Sequence, residues 1–324
     1  MKILLVRGAF LNRYEGQNYE VLAHLLKKEG HSFSAIGSYA SFHADFTFPV
    51  KKLFSPYDIA VWARRIPMVG NLLARYYLAL CNRTLGDGHF LLGLKRFIKS
   101  TGPYDTVIIA ETYYGFDKQI ASLKKGGSVR KIISTCWETI AFNNETLERK
   151  KQMKNFVKKH IDRYICPTEL ARKALISEGI DPKDVSVVRV GVDLKEFKPE
   201  TSSHKDFTVA FIGRKTHEKG IYDYRKMSTI LLSKSPTYEM IELSSLAYRT
   251  MSHQLSAIDC VVIPSRTTGT IAEQYSMVAV ESMACCKAIV AYDTGALSEV
   301  IGDAGIIVPD GDVQALAEAV ETFA

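Results

Sequence analysis

The chain has 324 residues, 47% of them hydrophobic, with 42 Lys plus Arg against 35 Asp plus Glu for a net charge of +7. That is enough apolar material for a large core, and it excludes a disordered or collagenous chain. At this length two domains are the expectation, with a cleft between them.

The first residues, Met1-Lys2-Ile3-Leu4-Leu5-Val6-Arg7, hold an apolar run shorter than the roughly 7 to 15 residues of a signal-peptide core. They read as a buried first strand. Short apolar runs recur at Phe33 to Ile36, Thr106 to Ala110, Lys131 to Thr135, Arg163 to Cys166 and Val185 to Val190. Helix-period segments at Tyr19 to Glu29, Asp117 to Lys125 and Glu145 to His160 lie between several of them, the βαβ alternation of a parallel sheet. The longest largely apolar window, Ile66 to Leu80, is broken by Asn71 and Arg75 and is shorter than the roughly 20 residues of a spanning helix. It lies inside Lys51 to Lys99, where basic residues alternate with Trp62, Leu72, Leu73, Tyr76, Tyr77 and other apolar side chains. Two readings stay open for this segment: a surface for an anionic membrane, or a helical pair packed on the core with snorkelling cations.

The polar stretch Glu200 to Asp206 has linker composition and sets a domain boundary between residues 199 and 200. Beyond it, strands are expected at Thr208 to Ile212, Cys260 to Ile263, Ala288 to Ala291 and Gly305 to Val308, and helices at Ser276 to Cys285 and Val313 to Thr322. Both halves, 1–199 and 200–324, read as doubly wound, Rossmann-like α/β domains. Neither carries G-x-G-x-x-G after its first strand, which disfavours a nicotinamide enzyme. Residues 1–200 hold 32 basic and 20 acidic side chains and the remainder 10 and 15, so the first half should face something anionic. Its basic residues are dispersed, without a zinc-finger, RRM or basic-heptad pattern, which argues against nucleic acid. Six cysteines, far apart except for the adjacent pair Cys285-Cys286 and with no C-x-x-C spacing, fit a reducing cytoplasm without disulfides or a zinc site.

Gly213-Arg214-Lys215-Thr216-His217-Glu218-Lys219-Gly220 follows the strand Val209 to Ile212 directly. Cations at the carboxyl edge of a parallel sheet stand where open α/β folds bind ligands, and Arg214 as a fork with Lys219 as a point charge suits a diphosphate. His217 reads as a solvated loop residue. The second element, Glu273 to Glu281, follows the strand Cys260 to Ile263 and the turn Pro264-Ser265. With a helix starting near Ser276, Glu273 stands ahead of its N-terminus and Glu281 one to two turns inside. An anion on the free amides would then have a carboxylate on each side, suited to hydroxyls at the two ends of a sugar nucleotide. Glu111, Trp137 and Glu138 follow first-domain strands and are acceptor-side candidates. Asp310-Gly311-Asp312 spells the D-x-D of metal-dependent transferases, but between a strand and a helix it reads as a turn plus N-cap, and no metal site is expected.

In this order the pieces resemble the retaining glycosyltransferases of family 4 (glycosyl transferases group 1), which have the GT-B fold. The resemblance rests on Gly213-Arg214, Lys219-Gly220, Pro264-Ser265, Glu273 and Glu281, continued by Ser282-Met283-Ala284, Ala288 to Ala291, Gly295 and Glu299-Val300-Ile301. Upstream it takes in Asp162 to Thr168 and Val190-Gly191-Val192-Asp193 with Phe197. It implies an N-terminal acceptor-side domain facing a C-terminal donor domain across a cleft. It also implies Arg214 and Lys219 on the donor diphosphate, Glu273 on the transferred sugar and Glu281 on the ribose. Gly213 and the loop Gln274, Tyr275, Ser276 and Met277 would supply further donor contacts. No cofactor or metal is then needed, since cations and amides can stabilise a departing diphosphate. The implied partners are a nucleotide-sugar donor and a lipid-linked or glycan acceptor, and the implied location is cytoplasmic, with peripheral attachment to the inner face of the cell membrane as an open alternative. The chain departs from the pattern at Ser276 and Cys286, where glycine is usual, and in a short segment between Gly220 and Asp259 that implies one βα unit fewer. It also stops at Ala324, ahead of the family's final helices. Two other functions stay open: a nucleotide-sugar epimerase on the same fold, and a catalytically weakened sugar-nucleotide or membrane-binding protein.

Overall fold

The computed structural model describes the chain apart from residues 12, 41–45, 85–86, 146, 201–205, 236 and 245–247, and apart from the side chains of 13–18 and 248–249. Most of the expected linker, 201–205, lies outside the described residues. The first elements are β1 (Lys2–Gly8), α1 (Arg13–Lys28), β2 (Ser32–Ser38), β3 (Val50–Leu53), α2 (Pro56–Ala63), α3 (Gly70–Thr84), α4 (Leu94–Thr101), β4 (Tyr104–Ala110), α5 (Gly115–Lys124), β5 (Val129–Thr135), α6 (Glu148–Lys158), β6 (Arg163–Cys166), α7 (Glu169–Ser177) and β7 (Val185–Val187). They are followed by β8 (Phe207–Ile212), α8 (Ile221–Lys234), β9 (Tyr238–Leu243), α9 (Tyr248–Ser256), β10 (Cys260–Ile263), α10 (Met277–Ala284), β11 (Ala288–Tyr292), α11 (Leu297–Ile301), β12 (Ile306–Val308) and α12 (Val313–Glu321).

These elements form two α/β units, each on a parallel sheet. The first sheet has the order β3-β2-β1-β4-β5-β6-β7 and the second β12-β11-β10-β8-β9. In β1 the pleat sends Leu4 and Val6 to one face, against Phe116 and Ile120 of α5, and Ile3 and Leu5 to the other, against Tyr19 and Ala23 of α1. Burial on both faces is why this strand reads as a continuous apolar run. In β8, Val209 and Phe211 pack on Tyr224, Met227 and Leu231 of α8, while Ala210 faces Leu255 of α9 and Ala279 of α10.

The first unit holds Met1–Cys136, Phe142–Cys166 and Leu175–Val188; the second holds Trp137–Ala141, Pro167–Ala174 and Arg189–Ala324. The second unit therefore begins ahead of residue 200 and takes two pieces from the first half. Hydrogen bonds explain the transfer. Glu299 of α11 accepts from the first amides of α7, Glu169 at 2.7 Å and Leu170 at 3.1 Å, and the Tyr275 hydroxyl donates to the Val190 carbonyl at 2.6 Å.

In the first unit, α2 and α3 form a hairpin pinned to the end of β2 by one carboxylate. Asp58 is fully buried and accepts from the Ser38 hydroxyl at 2.6 Å, from the Ala40 amide at 2.8 Å and from the Ser55 amide at 2.8 Å. Ser55 in turn caps α2 by accepting from the Tyr57 amide at 3.2 Å. Asp58→Ala leaves these donors without an acceptor in a site closed to water, and a stability loss of about 3 kcal/mol is expected. It should lower the denaturant midpoint at constant slope. A variant with the wild-type midpoint would show that the carboxylate does not hold the hairpin.

Candidate functional site

The order of the second sheet reverses between β8 and β10: β9 follows on one side of β8, while β10, β11 and β12 extend on the other. Loops that leave neighbouring strands at such a switch point diverge, and the crevice between them is where open α/β sheets hold ligands. Here the loops are 213–220 after β8 and 264–276 after β10, joined by 293–296 after β11.

Two glycines bring the loops together. Gly220 has φ +74°, and a Cβ there would lie 1.7 Å from the Pro264 carbonyl oxygen. Gly295 has φ +54°, and its Cβ would lie 2.2 Å from the carbonyl oxygen and 2.6 Å from the amide nitrogen of Glu273. Both positions need a residue without a side chain, for its conformation and for its closeness. The next amide, Ala296, donates to the Glu273 carbonyl at 2.8 Å, and the Thr294 hydroxyl donates to the Ser265 carbonyl at 2.7 Å.

On this frame Lys219 Nζ donates to Glu273 Oε2 at 2.6 Å, and Ser265 Oγ donates to the same oxygen at 2.8 Å. A hollow of about 300 Å³ opens beside them, lined by Arg214, Lys219, Ser265, Arg266, Glu273, Gln274 and Tyr275, and also by Trp137 and Glu138. Arg214 is exposed at its rim and makes no salt bridge among the described residues. Its neighbour Lys215 is committed elsewhere, to Glu242 at 2.9 Å. Arg225 and Lys215 together hold the Glu242 carboxyl down to about 2. His217 is exposed and lines a separate hollow with Tyr222 and Lys226.

Ser276 is the N-cap of α10, at φ −92°, and its hydroxyl accepts from the Ala279 amide at 3.2 Å. Glycine is not required at that angle, so the serine replaces backbone freedom with a cap. The amides of Met277 and Val278 open the helix and have no acceptor within it. Glu281, in the second turn, is 3% exposed, and no described group donates a hydrogen bond to its carboxylate. Burial, with Glu196 nearby, pushes its carboxyl up to about 8. Asp310 accepts from Arg266 Nε at 3.3 Å, and Asp312 caps α12 through the Ala315 amide at 2.9 Å, so D-x-D serves as a turn and cap.

The acceptor-side candidates fall in different units. Trp137 and Glu138 were expected with the first domain, yet they belong to the second unit and line the hollow, where the Trp137 ring meets Tyr275 edge-on at 5.9 Å. Glu111 lies in the first unit after β4, 7% exposed and at φ +59°. Arg266, missed from sequence, reaches the hollow and pairs with Asp223 at 3.1 Å. Its one signal was its place directly after Pro264-Ser265.

Residues 192–324 match the family model described as glycosyl transferases group 1. Among curated proteins none matches the sequence. Solved structures similar to the whole chain include Anabaena Alr3699/HepE in complex with UDP, 15% identical over 99% of this chain and 89% of that one, with a TM-score of 0.64. Sucrose-phosphate synthase from Thermosynechococcus elongatus is 14% identical over the same shares, with a TM-score of 0.63. UDP-GlcNAc 2-epimerase from Methanocaldococcus jannaschii is 10% identical over 100% and 92%, with a TM-score of 0.56. The chain has the GT-B fold, and the part that matches glycosyl transferases group 1 carries the lining of the hollow apart from Trp137 and Glu138.

Proposed function

We propose that this protein is a glycosyltransferase that moves a sugar, with retention and without a metal, from a nucleoside-diphosphate sugar to a lipid-linked or glycan acceptor. The observation that carries the reading is the convergence of Arg214, Lys219, Ser265 and Glu273 on one hollow at the switch point, ahead of the α10 N-terminus. In this role Arg214 and Lys219 take the diphosphate, and the first amides of α10 add to the same field. Glu273, held from one side by Lys219 and Ser265, meets hydroxyls of the transferred sugar. Glu281 accepts from the ribose hydroxyls. As the bond between sugar and phosphate breaks, charge builds on the diphosphate, and cations fixed in advance stabilise it at no cost in reorganisation. Trp137 and Glu138 meet the acceptor end of the donor. The UDP complex of Alr3699/HepE supports a nucleotide donor. The epimerase likeness, at a lower TM-score, keeps a second reading in view: turnover of the donor with no acceptor present. Separating products in the presence and absence of acceptor decides between them.

Arg214→Ala and Lys219→Ala should each weaken nucleoside-diphosphate binding about tenfold or more, since a charge-assisted bond contributes about 1.5–3 kcal/mol. Calorimetric titration across a panel of nucleoside diphosphates, with both variants at wild-type affinity, would remove these residues from the site. Chelation should leave binding and transfer intact; activity lost to EDTA and restored by Mg²⁺ would contradict a metal-free reaction.

The raised Glu281 carboxyl adds a pH dependence with a defined sign. The folded chain holds this proton up to about pH 8, whereas an exposed glutamate releases it near 4.5. The resulting stability is complete below about pH 4.5 and is lost as pH rises towards 8. Glu281→Gln should therefore flatten the fall in melting temperature between those limits. Ribose hydroxyls donate to the ionised form, so donor binding should release a proton at pH 7 and tighten as pH rises. Calorimetry in buffers of different ionisation heat reads that release, and its absence would separate Glu281 from the ribose.

A further inference from the structure

Read from sequence, Lys51 to Lys99 suits either a packed helical pair or a membrane surface, and the structure divides it by side chain. Phe54, Tyr57, Tyr77, Phe90 and Phe97 are partly buried. Trp62, Ile66 and Leu80 are exposed, Leu72 is 70% and Tyr76 75% exposed, and Met68 at the hairpin tip is fully so. Leu72, Leu73, Tyr76 and Leu80 fall within about 100° of the circumference of α3. The other side of α3 carries Gly70, Ala74 and Cys81, which are buried. The inward face fits closely, since a Cβ at Gly70 would lie 2.2 Å from the Ala63 carbonyl oxygen of α2. The outward stripe is therefore presented by a hairpin that is already packed and pinned.

Within the hairpin the exposed charge has one sign. Between Asp58 and Asp87 there is no Asp or Glu, while Arg64, Arg65, Arg75 and Arg83 are all exposed. Asp58 and Asp87 are themselves buried, and Asp87 is held by His89 at 3.0 Å and the Gly115 amide at 2.7 Å. Among the described residues no helix is long and apolar enough to cross a membrane.

We propose that the α2–α3 hairpin docks the first unit on a bilayer with anionic headgroups. Met68 and the α3 stripe enter the interface, Trp62 and Tyr76 lie at headgroup depth, and the arginines meet lipid phosphates. The charge pattern disfavours a second copy on this face, because a twofold contact would set four arginines against four with no carboxylate between them. Vesicle binding is read without donor or acceptor, so this proposal stands or falls apart from glycosyl transfer.

The test is co-sedimentation of the full chain with vesicles of phosphatidylcholine alone and of phosphatidylcholine with phosphatidylglycerol, at low and high salt. Binding should require phosphatidylglycerol, weaken with salt and leave a residue at high salt, because apolar insertion is not screened. Arg64→Ala with Arg65→Ala should lower partitioning about thirtyfold, as each arginine near an anionic surface is worth about 1 kcal/mol. Met68→Asp with Leu72→Glu should lower it at least tenfold. All four side chains are exposed, so melting curves of both variants should match wild type. The chain has two tryptophans, so in a Trp137→Phe background the emission of Trp62 should shift to the blue on phosphatidylglycerol vesicles. Absence from every pellet, partitioning unchanged in both variants, or a dimer dissolved by the same substitutions would each overturn the proposal.

Discussion

The carbonyl oxygen of Pro264 and the backbone of Glu273 occupy space that a side chain at Gly220 or Gly295 would take. Because those side chains are missing, loops from three neighbouring strands lie against one another at the crevice of the second sheet, and their polar groups fall within bonding distance. Lys219 is fixed by the residue that follows it, Glu273 by Ala296 and Gly295, and Ser265 by Thr294. The spacing of Lys-Gly, Pro-Ser and Gly along the chain is the record of that packing. It explains why isolated residues in separate loops look unremarkable in sequence and become a site only as a set.

Strands buried on both faces were legible as apolar runs, and so were helices whose polar and apolar sides differ. The edges were not. Val50-Lys51-Lys52-Leu53 of β3 and Tyr238 to Leu243 of β9 are partly exposed border strands whose charged residues hide the pattern. Val185 to Val190 read as one strand, but pairing stops at Val187 because Arg189 turns to Glu299 and Val190 to Tyr275. In the site, Lys219, Glu273 and the cap at Ser276 could be placed from order and spacing. Arg266 could not, since its role depends on Asp223 and Asp310, both distant in the chain. Cys286 shows the opposite case: at φ +55° it sits where glycine is the default, so a departure legible in sequence coincides with a left-handed backbone.

The two sheets use their switch points differently. In the first, aromatic side chains gather about the loops that follow β1 and β4: His89 stacks on Tyr57 at 4.3 Å and on Phe10 at 5.1 Å, with Tyr114 at 4.9 Å. Burial opposes ionisation of Asp87 there, but its bonds from His89 and Gly115 outweigh that and hold the carboxyl below its ordinary range. Deeper in, burial keeps the Asp117 carboxyl well above that range. The loops beyond β1 and β4 thus carry an aromatic cluster, where those beyond β8 and β10 carry a hollow.

The second half is net acidic although its proposed ligand is a polyanion, and its ion pairs reconcile the two. Glu242 is held by Arg225 and Lys215, Asp223 and Asp310 by Arg266, Glu321 by Lys234, and Glu299 by Arg189. Exposed charges beyond about 8 Å are largely screened, so what a ligand in the hollow feels is the few groups that line it. Of these, Lys219 is already fixed by Glu273 at 2.6 Å. An ammonium has three donors, so one bond to Glu273 leaves two for phosphate oxygens. The carboxylate then restrains the lysine before any ligand arrives, which reduces the side-chain entropy lost on binding. Its own second oxygen stays available to sugar hydroxyls, so one ion pair positions both the group that would meet the leaving phosphate and the group that would hold the transferred sugar.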